Sequence, residues 1–175
     1  MKAVAYRRSL PITDAESLLD VTLPEPRPGG RDLLVRVEAV SVNPVDTKIR
    51  QRVDSQGADK VLGWDAAGTV VAVGGEVTLF KPGDQVYYAG AIDRPGSNAE
   101  LQVVDERIAG RKPGTLDMLQ AAALPLTTIT AWELLFDRFA IARGNAAHTG
   151  AVLIVGAAGG VGSMAVQMAR RLTNL

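Results

Sequence analysis

The feature that most constrains the fold is a short apolar segment, followed by a glycine-rich turn and an amphipathic helix. Residues 151–155 are all apolar, and the turn Gly156-Ala-Ala-Gly-Gly-Val-Gly162 follows directly. A run without polar alternation predicts a strand that is buried on both faces in a parallel sheet. The next residues predict a helix whose apolar face is formed by Val161, Met164, Ala165, Met168, Ala169 and Leu172.

A strand, a glycine turn and a helix N-terminus in this order are typical of a phosphate-binding site. Unpaired N–H groups at the helix start attract an anion, and glycines let a pyrophosphate approach the backbone. Gly159 and Gly160 would leave that approach open, and Gly162 would let the helix pack closely on its strand. The alternative is a strand–helix corner that needs small residues for packing only. The predicted cofactor contacts are Gly156, Ala157, Gly159, Gly160, Val161 and Gly162.

The usual fingerprint of such turns is Gly-x-Gly-x-x-Gly, and Ala157 stands in the place of its first glycine. The residue that distinguishes NAD from NADP normally follows about 20 residues after the turn. That distance lies beyond Leu175. Either nicotinamide cofactor is therefore compatible with the sequence.

The first two-thirds of the chain predicts many short strands separated by turns, which is typical of a small barrel or sandwich. Within residues 33–42 the apolar positions alternate and then change phase at Val40 and Val42. Such a shift predicts a β-bulge. The predicted strands are residues 2–6, 19–23, 33–42, 68–73, 85–88 and 101–104.

After Pro113-Gly114 the pattern becomes helical. Thr115 is placed to cap a helix over residues 118–124, and Pro125 is expected to end it. A second helix is expected to start within residues 127–130, because Thr130 and Glu133 have the spacing of a capping box.

Charge and composition exclude several classes of protein. Nineteen basic residues balance nineteen acidic ones, so the net charge recruits neither nucleic acid nor a membrane surface. No cysteine is present, which excludes disulfides and thiolate metal sites. The single histidine, His148, lies in a polar segment and is expected at the surface. The N-terminus shows no secretion signal, and a cytoplasmic location is expected.

Six short phrases occur along the chain in a specific order and spacing. They begin at Ser41, Gly63, Phe80, Gly96, Ala122 and Gly156. Together they resemble the medium-chain dehydrogenase/reductase superfamily, on its zinc-independent quinone oxidoreductase branch. The resemblance runs from Lys2 to Leu175 and is closest to the zinc-type alcohol dehydrogenase-like proteins. It implies a β-rich GroES-like barrel as catalytic domain (residues 1–125), followed by the incomplete start of an α/β Rossmann domain (residues 126–175).

The resemblance implies that no zinc is bound, even where the relatives' names contain the word. Zinc-dependent members hold a catalytic metal with the histidine of a Gly-His-Glu phrase, where this chain has Trp64 and Asp65. The family's cysteine near Asn43 is also absent. Trp64 is expected to shape the substrate pocket or the core. Asp65 is expected either to pair with a base such as Arg50 or to face solvent.

The resemblance also implies site residues. Asn43 and Asp46 match a phrase that lines the cleft near the nicotinamide, and the alternative is a plain turn. Thr127 and Thr130 match a phrase close to the nicotinamide, with helix capping as the alternative. Tyr88 is the candidate proton donor, although adjacent tyrosines on a strand usually place one ring inside the fold.

For the whole protein these features predict NAD(P)H-dependent, zinc-independent reduction of quinones or α,β-unsaturated carbonyls, with NADPH or NADH as cofactor. The predicted partners are a small carbonyl or quinone substrate and a second subunit in a homodimer, with no nucleic acid and no membrane. An enoyl-thioester reductase and a non-enzymatic GroES-like binding module remain as alternatives. The 175-residue chain alone is expected not to turn over and to expose the apolar face of its last helix.

Overall fold

The computed structural model describes residues 1–144 and 150–175 and divides the chain into two compact units, Met1–Ala123 and Leu124–Leu175. The first unit holds two antiparallel sheets. One has the strand order β2-β1-β4, and the other has the order β7-β3-β5-β6-β8. The strands are β1 Lys2–Tyr6, β2 Leu19–Thr22, β3 Asp32–Ser41, β4 Lys60–Val61, β5 Asp65–Val73, β6 Gln85–Ala89, β7 Leu101–Asp105 and β8 Ala109–Arg111.

Alternating apolar residues of the five-stranded sheet fill the interior of the barrel. Leu33 and Val35 of β3 are completely buried, and the strands on either side supply the rest of this core. Every predicted strand of the first unit is confirmed to within three residues at each end. The core consists of Leu33, Val35, Ala66, Val70, Val86, Tyr88 and Val104.

The predicted bulge in β3 is confirmed. The register between β3 and β5 shifts between Leu34 and Val35 and again between Val37 and Ala39. Beyond the second shift, Ala39 packs on the opposite side of the sheet, against α2 (Met118–Ala122). Val40 and Val42, whose change of phase predicted the bulge, are not buried by it: they are 41% and 73% exposed.

Hydrogen bonds between distant parts of the chain close the barrel. The Lys2 main-chain N–H donates to the Glu100 carboxyl at 2.7 Å, across 98 residues of sequence. Val4 N–H donates to the Asn98 carbonyl at 2.8 Å, and Ala3 forms an isolated bridge with Ala99. The N-terminal strand is therefore held by a loop that comes much later in the chain.

A buried carboxyl fastens the loop between β5 and β6. Glu106 is 0% exposed and accepts hydrogen bonds from the N–H groups of Thr78 (2.9 Å) and Leu79 (2.7 Å). Arg31 Nη1 lies 2.7 Å from its other oxygen. Burial alone would raise the pKa of Glu106, but the Leu79 and Thr78 N–H groups and Arg31 together hold it below its usual range.

We expect Glu106→Gln to destabilise the barrel at neutral pH, because an amide cannot accept from two N–H groups and Arg31 with both of its terminal atoms. A carboxyl with a depressed folded-state pKa contributes stability that is present above its unfolded pKa and lost as the pH falls. The gap between the parent and the variant should therefore narrow below about pH 4.5. Urea unfolding at about pH 7 and about pH 4 measures the difference in the free energy of unfolding between the parent and the variant. A difference that increases at the lower pH would contradict this account.

In residues 124–144 and 150–175, the second unit consists of three helical segments and one segment without regular secondary structure. They are α3 (Pro125–Trp132), a π-helical turn (Glu133–Arg138), residues 151–155, and α4 (Gly160–Leu172). Ala131 and Leu135 pack against Ala165 and Ala169. The inward face predicted for α4 is thereby confirmed except at Leu172, which is 38% exposed. Val152 and Ile154 pack against the same cluster.

The strand predicted at residues 151–155 is not formed. The segment alternates, with Val152 and Ile154 half-buried and with Leu153 and Val155 each 87% exposed. A strand needs a hydrogen-bonded neighbour, and residues 124–144 and 150–175 supply none beside it. Val152 and Ile154 therefore pack against α4, whereas Leu153 and Val155, on the opposite side of the segment, remain exposed.

The helix boundaries near Pro125 also differ from the prediction. Asp117, rather than Thr115, caps α2 and forms a capping box with Gln120. Pro125 begins α3 instead of only ending α2, because proline is favoured in the first turn of a helix. Thr130 consequently lies inside α3 and forms no capping box with Glu133.

The stretch Met118–Arg138 is long and apolar enough to cross a membrane, judged by length and composition alone. The structure uses it differently. α2 ends at Ala122 and buries Ala121 and Ala122 against the first unit's sheet, whereas α3 begins at Pro125 and buries Ala131 in the second unit's core.

Candidate functional site

Asn43 and Asp46 form the start of a helix rather than a plain turn. Asn43 is the N-cap of α1 (Pro44–Arg52), Pro44 takes the first helical position, and Asp46 lies in the first turn. The Asn43 main-chain N–H donates to Asp46 Oδ2 at 2.7 Å. Both side chains are buried, with 7% and 6% exposed. This helix was not predicted, although Asn-Pro-x-Asp is a recognised start signal.

Asp65, at the first position of β5, faces neither solvent nor open space. It is 0% exposed, and its Oδ2 accepts a hydrogen bond of 2.8 Å from Asn43 Nδ2. Of the two alternatives predicted for this carboxyl, solvent exposure is therefore wrong. Arg50, the base suggested as a partner for Asp65, donates from Nη1 to the Leu10 carbonyl at 2.7 Å. The first unit thus brings Asn43, Asp46 and Asp65 into one buried polar cluster.

Asp46 carries an unusual atom. Its Oδ1 is buried with no hydrogen-bond partner among the described residues. Burial raises the pKa of Asp46 above its usual range, and the N–H groups of Asn43, Asp46 itself and Gly63 oppose that rise. Buried polar atoms nearly always have a partner, so an unpaired oxygen is a place where a ligand hydroxyl, a water or a proton is expected.

The residues at the position of the family's zinc ligand do not fit a zinc ion. Trp64 is 4% exposed, and its indole N–H, which cannot ligate a metal, donates to the Ala91 carbonyl at 3.2 Å. Within residues 1–144 and 150–175, no group of three or more histidine, cysteine or acidic side chains is placed to hold a metal. Trp64 belongs to the packed interior of the barrel, one of the two roles predicted for it.

Tyr88 does not suit the predicted role of proton donor. Its ring belongs to the barrel core and is 2% exposed, while its hydroxyl donates to Gln102 Oε1 at 2.9 Å. Burial raises its pKa strongly, which makes release of the proton harder. Tyr87, by contrast, is half-buried and packs with the alanine cluster under α2. The tyrosine pair therefore places one ring on each side of the sheet.

We expect Tyr88→Phe to leave turnover nearly unchanged and to cost about 1 kcal/mol of stability, because the Gln102 oxygen loses its donor in the core. Kinetics of the complete protein and its urea midpoint measure the two effects. Tyr87→Phe is the matched control on the opposite face of β6. If Tyr88→Phe alone slows turnover by roughly two orders of magnitude or more, as loss of a general acid would, the catalytic assignment is restored.

The glycine turn of the second unit has the features that a phosphate group needs. Gly156 adopts a positive φ of 74°, and Gly159 is the N-cap of α4 with no side-chain cap bond. Residues 156–160 are exposed, α4 extends for 13 residues, and its first turn contains no acidic residue. A pyrophosphate would therefore meet backbone N–H groups and the positive end of the helix dipole.

Two of the glycines are also required by packing. A Cβ on Gly162 would lie 2.3 Å from the Gly156 carbonyl oxygen, so Gly162 packs against the start of the turn itself. A Cβ on Gly160 would lie 2.9 Å from Thr127 Cγ2, so Gly160 permits close contact between α3 and α4. At Gly159 the nearest atom would be 3.4 Å away. Of the two glycines expected to keep the approach open, Gly159 alone is unconstrained by packing.

The two predicted threonines lie one turn apart on α3. Thr127 Oγ1 donates to the Leu124 carbonyl at 3.0 Å, and Thr130 Oγ1 donates to the Leu126 carbonyl at 2.7 Å. Thr127 is half-buried beside Gly160, whereas Thr130 is exposed. Thr127 thus lies next to the glycine turn. The remaining candidate, His148, falls outside the described residues.

Comparisons with known proteins agree with this architecture. A family model described as the alcohol dehydrogenase GroES-like domain matches residues 29–119, more than half of the chain. A zinc-type alcohol dehydrogenase-like protein of Staphylococcus aureus (strain MSSA476) is 46% identical over 98% of this chain and 51% of its own length. The 2-methylene-furan-3-one reductase of Solanum lycopersicum is 38% identical over 80% of this chain and 37% of its own length.

Solved structures give the same result. One from Rhizobium etli CFN 42, provisionally described as a zinc-dependent alcohol dehydrogenase, has TM-score 0.91 and 60% identity, covering 100% of this chain and 51% of that one. The quinone oxidoreductase of Coxiella burnetii has TM-score 0.82 and 30% identity, covering 98% and 53%. A mycobacterial protein complexed with NADPH has TM-score 0.81 and 31% identity, covering 98% and 50%.

The barrel, its bulged central strand and the matched solved structures define the class: a catalytic-domain barrel of the medium-chain dehydrogenase/reductase superfamily. The chain belongs to the alcohol dehydrogenase GroES-like domain family. It spans about half the length of the first curated relatives that it matches.

Proposed function

We propose that the protein containing this chain is an NAD(P)H-dependent oxidoreductase that reduces quinones or α,β-unsaturated carbonyls without zinc. The observation that carries the proposal is the exposed glycine turn at the N-terminus of α4, in a chain whose relatives are named as oxidoreductases. The absence of cysteine and the presence of a single histidine support the metal-free form. A cytoplasmic location and a homodimeric state remain predictions.

In this proposal each unit contributes its own part of the machinery. The turn from Gly156 to Gly162 holds the cofactor's pyrophosphate through backbone N–H groups, with Gly159 leaving the approach open. Asn43 and Asp46 bind a hydroxyl or amide group of cofactor or substrate, and Asp46 Oδ1 is the buried atom that still needs a partner. When bound, the nicotinamide supplies a hydride.

Without a metal, the developing negative charge on the substrate oxygen must be met by hydrogen-bond donors. A site enclosed by apolar and amide groups makes such bonds stronger than they are in water. The buried cluster around Asn43 excludes solvent, but Asp46 and Asp65 are acceptors and the Asn43 NH₂ group already donates to Asp65. This cluster can therefore orient a hydroxyl or amide group, and the donors that meet the charge must come from elsewhere in the complete protein. The proton that completes the reduction comes from water or from a hydroxyl side chain, and Tyr88 is excluded by its place in the core.

The test uses the protein made from its complete coding sequence. We expect it to oxidise NADPH or NADH in the presence of quinones and enones, and to leave a saturated aldehyde of the same size unreduced. A strong chelator should not change the rate. Failure to oxidise either cofactor with any of these acceptors would overturn the proposal. Loss of activity in chelator with recovery on added Zn²⁺ would overturn its metal-free form.

A further inference from the structure

The side-chain amide of Asn43 has one orientation that its surroundings allow. Its Nδ2 lies 2.8 Å from Asp65 Oδ2 and 3.5 Å from the Ser41 carbonyl oxygen. The Ser41 carbonyl can only accept, and Asp65 Oδ2 accepts when its carboxyl is ionised, so the amide presents its NH₂ group to them. Its oxygen therefore points away from Asp65. The assignment follows from the chemistry of the neighbours and does not depend on distinguishing nitrogen from oxygen by shape.

Asp65 is held more firmly than a surface carboxyl would be. Its strand, β5, lies between β3 and β6, with Asp65 opposite Ser41 on one side and opposite Ala89 on the other. Ser97 Oγ donates to the Asp65 carbonyl oxygen at 3.3 Å, which ties the same residue to the loop that closes the barrel. The carboxyl thus sits on a rigid part of the sheet and is 0% exposed.

The main chain of Asn43 is fixed by the start of α1. Its backbone N–H donates to Asp46 Oδ2, and its carbonyl accepts from Asp46 N–H at 3.0 Å, so these bonds set the position of Cα. The capping box also places the Asn43 side chain against the N–H of Asp46, which restrains its rotation locally. A restraint from outside the helix has to come from another element. The bond to Asp65 supplies that restraint across 22 residues of sequence.

We propose that Asp65 is a positioning residue that acts through Asn43, holding its side-chain amide with the nitrogen toward the sheet so that the amide keeps a single orientation for the bound cofactor or substrate. The inference rests on the proposed function for the identity of that ligand. It assigns to Asp65 a task that neither its place in the strand nor its burial requires. Outer-shell partners that orient metal-binding side chains contribute roughly 10- to 100-fold when they are removed, and we expect a loss of the same order here.

A double-mutant cycle on the complete protein tests the proposal. Asp65→Ala is expected to lower kcat/KM by roughly 10- to 100-fold. Asn43→Ala should lower it at least as far, and the double variant should be no worse than Asn43→Ala alone. Asp65→Asn, which keeps an acceptor oxygen, should retain more activity than Asp65→Ala. Asp20→Ala, which removes an exposed carboxyl on the edge strand β2, serves as the control and should leave the kinetics unchanged.

Melting temperatures of all variants separate positioning from folding. If the effects of Asn43→Ala and Asp65→Ala multiply in the double variant, Asp65 acts independently and the proposal is overturned. Full activity of Asp65→Ala overturns it as well. Should Asp65→Ala fail to fold, the comparison of Asp65→Asn with Asp65→Leu replaces it, and equal activities of these two variants would overturn the proposal.

A second readout does not depend on turnover and separates this inference from the proposed function. In ¹⁵N-resolved NMR spectra the Asn43 NH₂ group, assigned with Asn43→Ala, is expected to exchange slowly with solvent in the parent protein and quickly in Asp65→Leu. Slow exchange in both would overturn the positioning role, even if the protein reduces enones. A protein that shows the expected NMR difference but reduces neither quinones nor enones would overturn the proposed function alone.

Discussion

Gly162→Ala is expected to disrupt the glycine turn and to abolish binding of NADPH. The added Cβ would lie 2.3 Å from the Gly156 carbonyl oxygen and 2.7 Å from Ala157 Cα. Both neighbours are backbone atoms, so no side chain can rotate away and the turn itself must move. Overpacking of a tight site usually costs about 1–3 kcal/mol, and a clash with backbone should exceed about 3 kcal/mol.

The loss of binding should be at least roughly 100-fold, since about 2.7 kcal/mol corresponds to that factor. Fluorescence titration with NADPH and thermal unfolding of the complete protein measure the two effects. Gly159→Ala is the matched control, because its Cβ would be 3.4 Å from the nearest atom. It should fold normally and yet bind NADPH more weakly, because its methyl group enters the phosphate approach. Unchanged affinity and melting temperature in Gly162→Ala would refute the role of this turn.

Gly68→Ala is expected to have the largest effect on the barrel. Gly68 lies in β5 opposite Val37, at the edge of the second register shift of β3. A Cβ there would lie 2.1 Å from the Arg36 carbonyl oxygen and 2.9 Å from Val35 Cγ1. The variant must either separate the two central strands or lose the bulge. We expect a loss of more than about 3 kcal/mol in the free energy of unfolding, or failure to fold.

Urea unfolding monitored by the fluorescence of the buried Trp64 measures this loss. Gly75→Ala in the turn after β5 is the matched control, because no atom lies within 4 Å of the position that its methyl group would take and its φ is not positive. It should unfold within about 0.5 kcal/mol of the parent. If Gly68→Ala unfolds at the same urea concentration as Gly75→Ala, the stability of the barrel does not depend on the close approach of β3 and β5.

The strands of the barrel could be predicted because each buries one face. Alternation along β3 marks which side chains face the core, and the phase change marks the bulge. The second unit is different, because residues 151–155 have the composition of a strand but no strand to pair with among the described residues. The composition of a segment indicates which side chains it can bury. A strand also requires a neighbouring strand that forms hydrogen bonds with its backbone N–H and C=O groups.

Prediction of the site depended on how far apart the interacting residues are in the sequence. Asn43 and Asp46 were found as a pair because they lie within one turn of α1, even though the helix itself was missed. The Asn43–Asp65 bond joins two separate elements, and no local pattern reports the distance between them. Tyr88 shows the limit of a prediction from residue type, because the sequence indicates a hydroxyl but neither its burial nor its bond to Gln102.

The closure of the barrel by residues 97–100 bears on how the protein is made. A ribosome adds roughly 5–20 residues per second, so β1 emerges several seconds before the loop that completes its pairing. During that interval Ala3 and Ala5, which the finished barrel buries, have no later strand or loop to cover them. Slow, long-range pairing of this kind leaves nascent chains open to mispairing with one another. Chaperone demand during synthesis should therefore fall sharply once the ribosome has released the segment that contains Asn98 and Glu100.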